Sequence, residues 1–182
     1  MATAVSASLA HRPGATLHDH MLFHLDRLNV EEASRLRAIR LRALRDSPEA
    51  FGSTLEDALA RSTEDWSQQI LSLPTFVAVD DGLDVGMVRG APDETRVDTA
   101  WLLSMWVAPE ARRMGVGGRL VGAVIDWARS IGARRLLLDV GDGQAPAIAL
   151  YERKGFSPNG EVGSLPPPRE HIREHQRELL LP

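Results

Sequence analysis

Residues 101–119 read WLLSMWVAPEARRMGVGGR, and this stretch determines the class of fold. The run from Trp101 to Val107 is almost continuously apolar, which is typical of a strand buried on both faces of a sheet. Pro109 ends the strand, and a glycine-containing turn leads into a helix. Apolar residues recur on one face of that helix as far as Ile131, which predicts that the helix packs on the sheet.

The chain downstream of this helix returns to the sheet. Gly132 ends the helix, and residues 136–140 form a second apolar strand. A short helix is predicted from about 145 to 154, and the remainder adds a strand near Phe156 and an apolar run at 179–181. A strand, a helix and a second strand in this order indicate a parallel βαβ unit.

The chain upstream of residue 101 predicts helices and antiparallel strands. Asn29 lies three residues before Glu32, which is the sequence pattern of a capped helix start. The predicted elements are a strand at 21–25, a helix at 29–46, short helices before residue 74 and a hairpin with strands at 75–79 and 85–88. Together with the βαβ unit they predict a single α/β domain at residues 20–182, preceded by a flexible tail at residues 1–19.

The composition excludes several classes of function. The 182 residues contain no cysteine, which removes disulfide frameworks, thiolate metal sites and a cysteine nucleophile. The formal net charge is −4, whereas binding to duplex nucleic acid calls for a strongly basic face. No apolar run approaches the ~18 residues of a membrane span, and the first residues lack the features of a secretory signal. We therefore expect a cytoplasmic protein that binds neither nucleic acid nor membrane.

The turn before the central helix is the best candidate for a binding site. The first amides of a helix have no partner inside it, and the helix dipole places positive charge there. The residues that permit a close approach or add charge are Gly115, Gly117, Gly118, Arg112, Arg113 and Arg119. Such a turn can bind a pyrophosphate, although a tight turn alone would also explain the glycines. Dinucleotide binding is disfavoured because Leu120 stands where G-x-G-x-x-G requires a glycine.

Two motifs together resemble a known family. Arg112-x-x-Gly115-x-Gly117 is followed downstream by Leu150-Tyr151-x-x-x-Gly155-Phe156. In this order they resemble the GNAT superfamily of acetyl-CoA-dependent N-acetyltransferases, and residues 37–52 also resemble the N-terminal part of many bacterial members. The resemblance implies a single-domain mixed, largely antiparallel twisted sheet that is flanked by helices. This sheet would be splayed at its central parallel pair, strands 101–107 and 135–140.

The resemblance also implies how acetyl-CoA would bind. Its pantetheine would pair with the backbone of the first strand of the pair, its pyrophosphate would lie on the amides of the glycine turn, and its thioester carbonyl would face an N–H near Met105. Gln144 stands where the family often carries asparagine, so the hydrogen bond from this side chain to the cofactor would have a different reach. The implied cofactor-binding residues are Met105, Trp106, Val107, Arg112, Arg113, Met114, Gly115, Val116, Gly117, Gly118, Arg119 and Gln144.

The implied reaction transfers an acetyl group from acetyl-CoA to a primary amine of a small molecule or peptide, by direct attack in a ternary complex. Tyr151, the only tyrosine, matches the family's general acid and would protonate the departing thiolate. The base is open because strand 101–107 carries no acid. Asp98, Glu110 and Asp139 are the nearest candidates, a water chain is an alternative, and we favour Asp98.

The acceptor is expected between the first helices and the splayed sheet. Phe51, Trp66 and Trp101 are the candidate acceptor residues, although packing in the core also explains them. The alternative function is a non-catalytic acetyl-CoA-binding or sensor domain. No metal is expected: residues 171–175 match the zinc pattern H-x-x-E-H, but too few residues follow for a third ligand. The resemblance also allows a homodimer.

Overall fold

Residues 23–182 are described by the structure, a computed structural model, and they form one seven-stranded sheet with helices on both faces. The strands are β1 (His24–Arg27), β2 (Thr75–Asp80), β3 (Leu83–Pro92), β4 (Thr99–Val107), β5 (Arg135–Gly141), β6 (Ser157–Ser164) and β7 (Arg173–Leu180). The helices are α1 (Ala33–Asp46), α2 (Leu55–Leu59), α3 (Thr63–Ser72), α4 (Val116–Ser130) and α5 (Ala145–Arg153). The predicted tail at residues 1–19 and the start of the first predicted strand lie outside the described residues.

The sheet is mixed and largely antiparallel, as the sequence predicts. Its order is β1-β2-β3-β4-β5-β7-β6, and β4 and β5 are the parallel pair among the described strands. The predicted turn between β2 and β3 is confirmed: Asp81 has φ 46° and Gly82 has φ 76°. Two successive left-handed residues are the geometry of the tight hairpin turns whose twist matches that of the strands.

The predicted cap at Asn29 is also confirmed, with one difference. The Asn29 side chain accepts from the N–H of Glu31, and its own N–H donates to the Glu32 carboxylate, both at 2.9 Å. The first turn, Val30–Glu32, is a 3₁₀-helix that leads directly into α1. The capping residues therefore satisfy backbone donors at the start of the turn, and α1 begins at Ala33 rather than beside Asn29.

The helices cover the two faces of the sheet in separate groups. α4 approaches one face of β3 closely because that face carries glycine: a Cβ at Gly90 would lie 2.3 Å from Cζ3 of Trp127. α3 lies on the opposite face, where Arg89 of β3 donates to Gln69. Since side chains alternate along a strand, Gly86 and Gly90 face α4, whereas Arg89 faces the layer of α1 and α3.

The parallel pair separates after three residues of each strand. Thr99, Ala100 and Trp101 pair with residues 135–137, and no pairs between β4 and β5 follow. β5 continues beside β7 as far as Gly141, while β4 continues beside β3 past an irregularity at Ser104, whose φ is 54°. The C-terminal ends of β4 and β5 therefore diverge, which confirms the predicted splay.

The H-x-x-E-H segment does not form a helix. Arg173, Glu174 and His175 belong to β7, and the residues before them lie in a turn. A zinc hydrolase needs both histidines on one helical face, so this segment does not provide that geometry. Among residues 23–182, no helix is long and apolar enough to cross a membrane.

Candidate active site

A cavity of about 480 Å³ opens where β4 and β5 diverge. Its walls are the last residues of β4, the turn that begins α4, one side of α5 and the segment that follows α1. The predicted cofactor and acceptor residues on these walls are Phe51, Met105, Trp106, Val107, Arg112, Arg113, Gly115, Gly117, Gly118 and Gln144. Both sequence motifs therefore meet at one opening in the sheet.

The start of α4 presents backbone donors to this cavity. Arg113 (φ 62°) and Gly115 (φ 85°) are both left-handed, and they turn the chain so that the helix begins at Val116. No side chain caps the helix, and the first amide that bonds back is that of Arg119, which donates to the Gly115 carbonyl at 3.2 Å. The amides of residues 116–118 thus lie at the positive end of the helix without intrahelical partners.

Gly117 is required for the close packing around these amides. A Cβ at this position would lie 3.0 Å from Cδ2 of Leu150 and 3.2 Å from Cε of Met105. The helix, the last part of β4 and α5 therefore meet at the backbone of Gly117. Any larger side chain would displace its neighbours or fill the space in front of the amides.

The sequence predicts that three arginines supply positive charge to the cavity, but two of them bond to other groups of the protein. Arg112 lines the cavity, but its guanidinium bonds to the Asp46 carboxylate and to the Val107 carbonyl. Arg119 lies off the cavity, donates to the Phe23 carbonyl at 2.9 Å and stacks on the Phe23 ring. Arg113 is exposed at the cavity wall.

The contacts of Asp46 fix the loop that carries Arg112. Desolvation opposes ionisation of Asp46, but hydrogen bonds from Ser47 and Trp106 and the charge of Arg112 outweigh it and lower the pKa of this carboxyl. The end of α1 is thereby tied both to β4 and to the loop before α4. Arg112 thus positions the loop, whereas the sequence predicts a direct contact with the cofactor.

Met114 and Val116 are also outside the cavity wall. Met114 is exposed, and Val116 is buried against the sheet, where its side chain approaches Gly86. For Val116 only the backbone amide is available to a ligand.

Two cations near the cavity were missed by the sequence reasoning. Arg153 lines the cavity, and Lys154 reaches the start of α4, where its Nζ would lie 3.7 Å from a Cβ at Gly118. Helical spacing could have indicated Arg153, because it lies three residues after Leu150 and so shares a face of α5 with it, and Lys154 follows the helix directly.

The edge of β4 that faces β5 has no partner strand beyond Trp101. On its other edge, Trp106 pairs with Met87 and Leu103 pairs with Arg89, so one extra residue of β4 is accommodated between them. This irregularity places Met105 and Val107 on the side of α4, where both approach Gly117. A free strand edge can accept an extended ligand as an additional strand.

Tyr151 lies on α5, directly after Leu150 of the cavity wall, but its own ring is not part of that wall. The residue is 5% exposed and its ring packs edge-on against Phe156, with centroids 5.9 Å apart. Burial raises the pKa of Tyr151 above its usual value, so the phenol is protonated over the physiological range.

The structure does not bring Asp98 to the cavity. Asp98 precedes the paired end of β4, and its carbonyl accepts from the amides of Arg134 and Arg135 at 2.8 and 3.1 Å. Met105 is seven residues further along the strand, which corresponds to about 23 Å at roughly 3.3 Å per residue. The preference for Asp98 as the base therefore conflicts with its position.

Asp139 lies in the splayed region, although it is not among the residues that line the cavity. It lies two residues beyond Leu137, the last residue of β5 that pairs with β4. Asp139 pairs with Gln176 and Gly141 with Glu174, so the two carboxylates lie on one face of the sheet. Burial raises the pKa of both, and the charge of Asp139 raises that of Glu174 further. The third candidate, Glu110, is exposed and forms an ion pair with Arg42.

Two of the three predicted acceptor residues are not on the cavity. Trp66 is fully buried on the inner face of α3, with Arg61 over its ring. Trp101 lies at the paired end of β4, where its indole N–H donates to Asp93 at 2.8 Å. Phe51 does line the cavity.

Comparison with known proteins identifies the family. Residues 36–156 match the Acetyltransferase (GNAT) family. A mycothiol acetyltransferase from Beutenbergia cavernae is 33% identical over 121 residues, which are 66% of this chain and 40% of that protein. The chain thus spans about two fifths of the length of that relative. The chain belongs to the GNAT acetyltransferase family.

Solved structures agree on the fold. A GNAT-family acetyltransferase from Streptococcus pneumoniae superimposes with a TM-score of 0.73 at 21% identity, over 88% of this chain and 99% of that one. An acetyltransferase from Salmonella typhimurium, solved with acetyl-CoA, gives a TM-score of 0.72 at 18% identity, over 89% and 95% of the two chains.

Proposed function

We propose that this chain is an acetyl-CoA-dependent N-acetyltransferase that acetylates a primary amine of a small molecule or peptide. The observation that carries the proposal is that the free edge of β4 and the positively polarised start of α4 border the same cavity. The first can pair with an extended amide-containing arm, and the second can bind phosphate. Acetyl-CoA contains both groups in one molecule.

The residues present fit this cosubstrate. The amides of residues 116–118 would hold the pyrophosphate, and the space that a Cβ would fill at Gly117 leaves them accessible. Arg153 and Lys154 lie where they can add charge to that contact. The backbone of residues 105–107 would pair with the pantetheine, and Gln144 lines the same cavity.

The reaction requires a base, an oxyanion donor and an acid. The amine nitrogen forms a bond to the thioester carbonyl carbon, and the carbon–sulfur bond then breaks to release the thiolate. Asp139 would take the proton that the ammonium group must lose, the N–H near Met105 would stabilise the oxyanion, and Tyr151 would protonate the thiolate. Asp139 is supported by its place in the splay, and Tyr151 by its position next to Leu150.

Thermal unfolding with separate additions of acetyl-CoA, CoA and NAD tests the cofactor site. A ligand at a hundredfold excess over its dissociation constant stabilises a protein by about 2.7 kcal/mol, which corresponds to a rise of roughly 5–10 °C for a domain of this size. We expect a rise with acetyl-CoA and with CoA but not with NAD. No rise with either acetyl-CoA or CoA would refute the proposal.

A second measurement distinguishes the enzyme from the non-catalytic acetyl-CoA-binding domain. The burial of Tyr151 away from the cavity wall is the observation that favours the latter. Release of free CoA thiol is followed with a panel of primary amines and without amine. Amine-dependent release supports the transferase, whereas binding without release from any amine supports the sensor.

A further inference from the structure

Two arginines are buried in the layer between the sheet and helices α1 and α3. Arg40 of α1 and Arg89 of β3 are each only 4% exposed. The half-buried Arg61 is close enough for its charge to act on both. We call Arg40, Arg61 and Arg89 the arginine cluster.

The two buried guanidinium groups have few partners. Arg40 donates through Nη2 to Ser53 at 2.8 Å and stacks 4.3 Å from the Phe51 ring centroid, but Nη1 has no hydrogen-bond partner. Arg89 donates through Nη1 to Gln69 at 2.9 Å, while Nε and Nη2 have none. Over residues 23–182, no carboxylate forms an ion pair with any member of the cluster.

Burial of like charges without counter-ions is costly. Desolvation and the neighbouring positive charges lower the pKa of Arg40 to about 9, and desolvation with the charge of Arg61 lowers that of Arg89 to about 10. The charge of Arg61 also acts on Asp57, which is exposed and accepts from the Thr54 hydroxyl. A buried donor without a partner loses its hydration without compensation.

Arg35, on the same helix as Arg40, is an arginine whose guanidinium donors are paired with carboxylates. Its guanidinium donates to the carboxylates of Asp26, Glu32 and Asp84 at 2.7–2.9 Å. These bonds outweigh desolvation and raise its pKa. The arginine cluster, in contrast, keeps buried donors without a protein partner, and an anionic ligand can accept from such donors.

The cluster lies beside the proposed acceptor region. Phe51 stacks on Arg40 and also lines the cavity. Arg89 is paired with Leu103 of β4, and Leu103 is half-exposed. Across the splay, Asp139 is two residues beyond Leu137, the partner of Trp101, and so lies on the same sheet face as Leu103.

One face of three strands therefore carries opposite charges on either side of an apolar residue. Arg89 on β3 and Asp139 on β5 flank Leu103 on β4. Neighbouring strands are about 4.8 Å apart, so the backbones of β3 and β5 are at least roughly 10 Å apart at this level. An amino acid carries both charges in one small molecule, and their order matches that of Arg89 and Asp139 on this face.

We propose that the acceptor is a small amino acid-like amine, whose carboxylate binds Arg40 and Arg89 while its amino group faces Asp139 and Glu174. This assignment rests on the proposed acetyltransferase function and specifies the class of its acceptor. The reaction is unchanged: the amine nitrogen still bonds to the thioester carbon and the carbon–sulfur bond still breaks. The carboxylate of the acceptor takes no part in these steps and only binds the arginines.

The test compares standard L-amino acids with their carboxamides, which keep the amine and lose the negative charge. With acetyl-CoA present, we expect kcat/KM of the wild-type enzyme for the acceptor amino acid to exceed that for its amide by about 10- to 100-fold, the effect of hydrogen bonds to a charged group. Equal rates with both, or activity confined to uncharged amines, would overturn the assignment while leaving the transferase function intact. If acetyl-CoA itself does not stabilise the protein, both proposals fail.

The variants Arg89→Met and Arg40→Met test whether these two arginines cause the preference for the amino acid over its carboxamide. Each should raise KM for the amino acid by about 10- to 100-fold and leave KM for the amide and for acetyl-CoA unchanged. The ligand-free variants should unfold at the wild-type temperature or above, because an uncompensated buried charge is removed. Arg129→Met, an exposed change on α4, is the matched control. If both variants lose activity toward acid and amide equally, or both unfold at lower temperature, the cluster is structural and the assignment is wrong.

Discussion

β4 pairs with both neighbouring strands at Ala100 and Trp101 and with β3 alone at its last residues. At the paired end the polar groups are satisfied within the protein: the Trp101 indole donates to Asp93, and the Asp98 carbonyl accepts two amides. At the splayed end the strand edge is free, and it faces helix amides that have no intrahelical partner. The two ends of β4 thus have different roles: the paired end anchors the sheet, and the splayed end can bind a ligand.

This division has an energetic consequence. Changes at the paired end remove contacts that exist in the folded protein, so they should act on stability. Changes at the splayed end remove contacts that form only with a ligand, so they should act on binding or turnover.

Gly117→Glu should abolish most binding of acetyl-CoA. Its Cβ would lie 3.0 Å from Leu150, and its carboxylate would repel a pyrophosphate in front of the amides. Gly122→Glu is the matched control on the same helix, because nothing lies within 4 Å of a Cβ there. The control should keep the roughly 5–10 °C rise with saturating acetyl-CoA, and Gly117→Glu should lose most of it. An equal rise in both variants would place the pyrophosphate elsewhere.

Tyr151→Phe should lower kcat by about 100-fold, which is the typical contribution of a general acid. The KM for acetyl-CoA should stay the same, because the ring keeps its packing against Phe156 and only the hydroxyl is lost. Steady-state kinetics with a reactive amine measures both parameters. A wild-type kcat in this variant would remove Tyr151 from the mechanism and would favour a solvent proton donor.

Asp139→Asn should lower kcat/KM by about 100-fold and alter its pH profile. Burial raises the pKa of Asp139, and a base works when deprotonated, so the wild-type rate should rise with pH through a limb above the ordinary carboxyl range. The variant should lack that limb. An unchanged limb in the variant would assign it to another group, such as Glu174 or the amine itself.

Asp139→Asn is also expected to change stability: it should lower activity but raise the unfolding temperature. A carboxyl whose folded-state pKa is raised favours the folded protein at low pH and loses that contribution as pH rises through the raised value. Asp139→Asn should therefore unfold at a slightly higher temperature than the wild type near pH 7, and this gain should vanish near pH 4. Calorimetry at the two pH values measures the difference, and a lower unfolding temperature near pH 7 would contradict the sign.

Local patterns predicted the elements well because the forces that define them act over a few residues. The capped start at Asn29, the hairpin turn at Asp81 and Gly82 and the turn into α4 depend on side chains and φ angles within one short segment. The order of strand, helix and strand then predicted the parallel pair. Its separation followed from the family resemblance.

Contacts between residues far apart in the sequence could not be predicted. Arg112 lines the cavity but bonds to Asp46, and Arg119 bonds to the Phe23 carbonyl, and no local pattern contains those partners. Trp66 could have been assigned to the core, because with Ile70 it forms the buried face of α3. The choice of Asp98 overlooked the strand direction: ligands bind at the carboxyl ends of parallel strands, and Asp98 lies at the amino end of β4.

Asp98→Asn is the smallest predicted effect and the direct counterpart of Asp139→Asn, since both replace a carboxylate on the parallel pair by its amide. The Asp98 side chain accepts from Thr99 Oγ1 at 3.1 Å, and an amide oxygen can accept the same bond, so stability should change by less than about 0.5 kcal/mol. Turnover and its pH profile should match those of the wild type, because about 23 Å of strand separates this carboxylate from Met105. If Asp98→Asn instead lowered kcat as Asp139→Asn is expected to do, the paired end of β4 would take part in catalysis, and the division between the two ends would be wrong.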